Sequence, residues 1–225
     1  MKMIRRLIIL ILLVLAFIAG FVSYQGYDLY QEAIEEVPLS EKVLEIQSKE
    51  NYTNFDDLPE TYVNAIVAVE DKRFFYHRGF DPIATFRALK DDIESRSLEA
   101  GGSTITQQLA KNMYFDQSKK LSRKIAELFV ARDFEKTYKK NMIFELYVNA
   151  IYFGETYYCV YDAAQGYFGI EPSQMDDYQA TMLAGIPNAP AVYAPTVNPD
   201  LAEERRQQVI QAMVENGYIE EGDIL

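Results

Sequence analysis

The chain has 225 residues, 49% hydrophobic and 25% charged, an ordinary globular composition that excludes a wholly disordered polypeptide. A net charge of −12 argues against nucleic acid as a partner. The single cysteine, Cys159, excludes an internal disulfide, and the single histidine, His77, excludes a His-based zinc site.

The N-terminus carries Lys2, Arg5 and Arg6, then sixteen apolar or small residues from Leu7 to Val22. Ser23 and Tyr24 extend this run to the length of a membrane-spanning helix. Residues 1–24 are read as a cytoplasmic tail and an uncleaved anchor, because Phe17-Ile18-Ala19 is a poor small-x-small cleavage site. The basic flank predicts a single-pass protein whose domain lies on the extracytoplasmic face. Residues 25–58 are polar with little periodicity and read as a stalk; residues 59–225 read as the domain. Within it, helices are expected from Pro59 to Val69, from Asp81-Pro82 toward Glu94, from Thr104 to about Tyr114 with Ser103 as its cap, over Ser122 to Tyr152, and from Asn198-Pro199 to Gly217. Pro187, Pro190 and Pro195 predict an extended crossing loop. No stretch alternates like a strand, so the expected fold class is mainly α.

Four constellations carry chemistry. Glu70 to Asp81 gathers two adjacent acids and the only histidine. A Glu closing a helix faces the negative end of the dipole, and apolar neighbours push its pKa the same way, which suits a general base. The rival reading is a polar turn in which Asp71 and Asp81 cap and His77 fills a hydrogen-bonding slot. In Gly101 to Asn112, residues Thr104, Gln107, Gln108, Lys111 and Asn112 share one helical arc, opposite Ile105, Leu109 and Met113. Uncharged hydrogen-bonding groups around one cation suit a sugar and a phosphate, and the glycine pair leaves amides at the helix start.

From Lys111 to Lys140 nine basic residues, Lys119 among them, stand against four acids. Such a patch fits an anionic ligand or membrane surface, although for this feature alone a solvated, salt-bridged helix is the better reading. Finally, Glu145 and Asn149 share a helical face among Ile143, Leu146 and Val148, which reads as a buried structural network.

In order, these segments resemble peptidoglycan glycosyltransferases, the polymerising domain also found at the front of bifunctional penicillin-binding proteins. The segments are Glu70-Asp71 with Phe74, His77, Gly79 and Asp81; Gly101 to Asn112; Arg123-Lys124-x-x-Glu127; Lys140 through Gly154; and, more weakly, Arg206 to Ile219. The resemblance implies a lysozyme-like helical lobe with a small, membrane-proximal, partly apolar subdomain. It implies lipid II and the growing glycan strand as substrates, at the bacterial cytoplasmic membrane, with other cell-wall synthesis proteins as further partners.

By the same resemblance, Glu70 matches the catalytic base and Glu127 a second essential acid. Lys111 and Arg123 match residues that hold the leaving pyrophosphate. Gln108, Asn112, Lys124, Ser103 and Thr104 match further substrate-binding positions. A divalent cation (Mg²⁺ or Mn²⁺) bound with the pyrophosphate is implied as well. The sequence differs from the family after Gly154, where Glu155 to Asp162 lacks the usual glycines, and at Ile170, where Lys is usual. Neither Ser-x-x-Lys nor Lys-Thr-Gly occurs, so a single-function enzyme without transpeptidase activity is expected. The rival functions are a glycan-cleaving enzyme on the same scaffold and a non-catalytic, membrane-tethered binder of lipid II.

Overall fold

The computed structural model describes residues 2–95, 101–116 and 120–220, and contains helices and turns with no strand among those residues. The mainly α class expected from the sequence is the one adopted. The helices are α1 (Lys2–Glu36), α2 (Leu39–Gln47), α3 (Glu60–Glu70), α4 (Pro82–Ser95), α5 (Ile105–Tyr114), α6 (Leu121–Thr137), α7 (Lys140–Val148), α8 (Val160–Phe168), α9 (Asp177–Gly185), α10 (Pro190–Tyr193) and α11 (Pro199–Glu215). Lys119 lies outside the described residues.

Helix α3 is the axis of the fold. Tyr62, Val63, Ala65, Ile66, Val67 and Ala68 are buried on it, so it is apolar around most of its circumference. It packs against α9 and α11, while α5 packs against α6 and α7. Phe74, Phe134, Phe144, Tyr147 and Phe153 complete the core, all fully buried. Truncating one of these aromatic side chains to Ala costs about 3–5 kcal/mol.

Helix α1 is one rod of 35 residues, on which every side chain from Met3 to Phe21 is exposed. None of the described residues buries that apolar surface, as expected for a segment whose solvent is lipid. The helix does not stop at the end of the apolar run. Residues 25–36, read from sequence as stalk, continue it and pack against α6. The contact is close at Gly26, where a Cβ would lie 2.6 Å from Ile125 Cβ and 2.8 Å from the Ser122 carbonyl oxygen. Beyond it, α2 buries Val43 and Ile46 in the core. The polarity of this segment reports one exposed face; its apolar residues are too widely spaced for the periodicity to show.

Two further expectations are corrected. The stretch Ser122 to Tyr152 is two helices, since Tyr138 and Lys139 take extended conformations. No Gly or Pro marks that break. The proline-rich segment is largely helical, because Pro187 and Pro190 occupy first-turn positions of a short 3₁₀ turn and of α10.

Candidate active site

The first constellation divides between its two readings. Asp71, His77 and Asp81 build the turn after α3. The Asp71 carboxylate lies 2.7 Å from His77 Nε2 and accepts from the Ile105 amide at 3.0 Å, tying this turn to the start of α5. Asp81 caps α4 through the Ile83 and Ala84 amides, both at 2.9 Å, and pairs with Arg73. Arg73 and the two amides hold the Asp81 carboxyl below its ordinary value despite its burial. Gly79 sits at φ +86° with Ala131 O 3.1 Å from where a Cβ would stand, and its carbonyl accepts from Thr104 Oγ1 at 2.7 Å. A left-handed conformation in so little space suits glycine.

Glu70, the last residue of α3, does something else. Its side chain reaches a cleft of about 650 Å³ shared with Ser103, Gln108, Lys111, Arg123 and Lys124. Gln108 Nε2 donates to Glu70 Oε2 at 2.7 Å. Glu70 Oε1 is buried with no hydrogen-bond partner among the described residues. Burial raises the Glu70 pKa, and the charge of Asp71 adds to it; the Gln108 hydrogen bond and the Arg205 charge oppose it. A carboxylate with a raised pKa, one oxygen held and the other without a partner has the proton affinity that a general base needs.

Opposite Glu70, α5 and α6 present cations. Lys111 has a lowered pKa, from burial first and the Arg123 charge second. Lys124 is lowered to about 8 by burial, Arg123 and Lys111, and its Nζ lies 2.9 Å from Glu127. Glu127 also lines the cleft, fully buried, and pairs with both Arg123 and Lys124. Lys124 Nζ donates to Ser103 Oγ. Two cations are thus held on one buried acid, with Lys111 lining the same cleft, a cluster suited to a polyanion.

Two sequence-predicted residues stay outside the cleft. Asn112 is exposed and is absent from the cleft lining. Thr104 is buried as the N-cap of α5, accepting from the Gln107 amide at 3.1 Å in a capping box with Gln107. It, and not Ser103, caps that helix. The amides of Thr104, Ile105 and Gln107 are taken by Gln107 Oε1, Asp71 and Thr104, so charged side chains and not those helix amides face the ligand space.

The cleft also has a wall that sequence reasoning missed: Asn188, Tyr193, Arg205 and Gln208. Arg205 Nη1 donates to Gln208 Oε1 at 2.9 Å, and its guanidinium lies 5.7 Å from the Tyr193 ring centroid. The available signal was helical spacing: Ala202, Arg206, Val209 and Met213 form the buried stripe of α11, which leaves Arg205 and Gln208 on another face.

Glu145 and Asn149 form a clip. Glu145 accepts from Tyr52 Oη and from the Phe55 amide, the latter at 2.6 Å, and Asn149 exchanges hydrogen bonds with the backbone of Thr53 at 2.9 and 2.8 Å. They fasten the segment before α3 to α7. After Gly154, where the family's usual glycines are lacking, Glu155 itself takes φ +53°, and its side chain accepts from Thr196 Oγ1 at 2.6 Å.

The transglycosylase family model matches residues 38–214. The chain belongs to the transglycosylase family. It is 44% identical over 171 residues to penicillin-binding protein 1A of Aquifex aeolicus (strain VF5), covering 76% of this chain and 24% of that protein. It is 37% identical over 215 residues to penicillin-binding protein 1A of Neisseria lactamica, covering 92% and 27%. Penicillin-binding protein 1A/1B of Bacillus subtilis (strain 168) is 35% identical over 225 residues, covering 94% and 25%. The chain therefore spans about a quarter of the length of these curated relatives. The family match begins within the former stalk, at residue 38, in agreement with α2 belonging to the packed body of this transglycosylase.

Proposed function

We propose that this transglycosylase polymerises lipid II into glycan strands, inverting the anomeric carbon and releasing undecaprenyl pyrophosphate. The observation that carries the reading is Glu70: one carboxylate oxygen held by Gln108, the other buried without a partner, and half-buried cations lining the same cleft. In the proposed step, the Glu70 carboxylate takes the proton from the 4-hydroxyl oxygen of the acceptor sugar. That oxygen attacks the anomeric carbon of the growing chain, the carbon–oxygen bond to the pyrophosphate breaks, and the electron pair leaves on the pyrophosphate. Lys111, Arg123 and Lys124 face the growing negative charge, and Glu127 holds the last two in place. A positioned base contributes about 10² to 10⁴ in rate.

No three His, Cys, Asp or Glu side chains gather in a metal-binding cluster among the described residues. The cleft's own acids are Glu70 and a Glu127 already paired twice. This donor set does not fit a resident metal; a divalent cation would enter on the substrate pyrophosphate.

The domain is proposed to face outward, with Lys2, Arg5 and Arg6 in the cytoplasm. Protease added to intact protoplasts should then release it, and a protected domain would refute the topology. For the activity, the full chain is incubated with labelled lipid II. A polymer supports the assignment, a cleaved product indicates a hydrolase, and an unchanged but bound substrate indicates a tethered binder.

A further inference from the structure

The outer face of α6 carries a second cavity of about 790 Å³, which shares no lining residue with the cleft. Phe80, Leu128 and Phe129 make its apolar walls, and Arg78, Arg132 and Lys136 stand around them. At 100° per residue, Phe129, Arg132 and Lys136 lie on the side of α6 opposite Arg123 and Glu127.

Its charges are not balanced. Glu135, the acid in the lining, is engaged by Lys140 at 2.7 Å and by Thr106 at 2.6 Å, and Lys136 pairs with Asp133 at 2.9 Å. Arg78 and Arg132 are exposed and form no ion pair among the described residues. Two guanidinium groups at the rim of an apolar hollow match a phosphate carried on hydrocarbon.

The cavity's height relative to the anchor identifies which phosphate. A hydrocarbon layer of about 30 Å takes about 20 helical residues, so a span that starts at Leu7 ends near Gly26. Tyr27 and Tyr30 follow within the headgroup layer. Both rings lie 5.3 Å from the ring of Phe129, and Tyr30 Oη donates to Asp133 Oδ2 at 2.5 Å. One wall of the cavity is thereby fixed at headgroup level.

We propose that this cavity is a binding site for the headgroup of an anionic phospholipid, its phosphate facing Arg78 and Arg132 and its chains descending beside α1. The site rests on the membrane-anchored reading above. In the test, the full chain is reconstituted in nanodiscs of phosphatidylcholine and phosphatidylglycerol, released in mild detergent, and weighed by native mass spectrometry. Wild type should retain phosphatidylglycerol. The double variant Arg78→Ala, Arg132→Ala should retain roughly tenfold less, since each cation near an anionic surface contributes several-fold to binding. The charge-matched control Lys72→Ala, Lys139→Ala should retain as much as wild type.

Equal loss in the control, or equal retention in the double variant, overturns the site while leaving the anchor in place. Displacement of the lipid by inorganic phosphate at equal concentration also overturns it, in favour of a simple anion site. A chain that fails to enter the nanodiscs refutes the anchored reading and this proposal together.

Discussion

Gln108 donates to one oxygen of Glu70 at 2.7 Å, and the other oxygen is buried with no partner among the described residues. Tyr147 Oη, at 3.4 Å from Gln108 Oε1, helps turn the Gln108 amide so that its N–H faces the carboxylate. Glu70→Gln keeps the shape but cannot take a proton, so polymer formation should fall at least about 10²-fold while lipid II binding changes little. The stability effect has a definite sign. Glu70 has a raised pKa in the folded chain, so the folded state holds its proton more tightly, and stability declines as pH rises above the ordinary value near 4.5. Glu70→Gln removes that decline. Melting curves above and below this pH should show the variant equal to or above wild type at neutral pH; a lower Tm there would return Glu70 to a structural role.

Lys124 titrates near 8 in the folded chain, so the cleft loses a positive charge as pH rises through that value. In the kcat/KM profile this should appear as an alkaline limb with a midpoint near 8. Lys124→Arg keeps the charge at all working pH and should shift the limb upward. A limb unchanged in that variant would assign it to another group.

Arg123 and Glu127 must be separated by a double variant. Removing Arg123 leaves a fully buried acid with Lys124 as its remaining charged partner. Arg123→Ala should therefore cost about 2–3 kcal/mol of stability, less than for a wholly orphaned buried charge, and about 10² to 10³ in rate. Adding Glu127→Gln should restore part of the Tm without restoring the rate. If both return together, Arg123 acts only through the fold.

At Gly26 α1 comes close to α6, with Ile125 Cβ 2.6 Å from where a side chain would begin. Gly26→Leu should push the helices apart at a cost of about 1–3 kcal/mol. Hydrogen exchange at Ser122 to Ile125 in reconstituted protein should accelerate. Unchanged protection would mean that the anchor and the catalytic body are not docked in the membrane.

The sequence by itself determined the long apolar N-terminal helix, the mainly α class and the surroundings of Glu70. A long apolar run with a one-sided basic flank has few structural outcomes, and capping residues such as Asp81, together with prolines at first turns, mark helix starts locally. Seven of the nine proposed site residues do meet in one cleft: Glu70, Ser103, Gln108, Lys111, Arg123, Lys124 and Glu127. Helical period says which residues share a face but not what that face meets. Only the tertiary structure turned Thr104 inward as a cap, left Asn112 in solvent, and brought Arg205 into the same cleft as Glu70. The same limit hid the docking of residues 25–36, because the approach of Gly26 to Ile125 depends on a partner about a hundred positions away. It also hid the division of α6, whose basic residues read as one patch in sequence, between a cleft face at Arg123 and Lys124 and an outer face at Arg132 and Lys136.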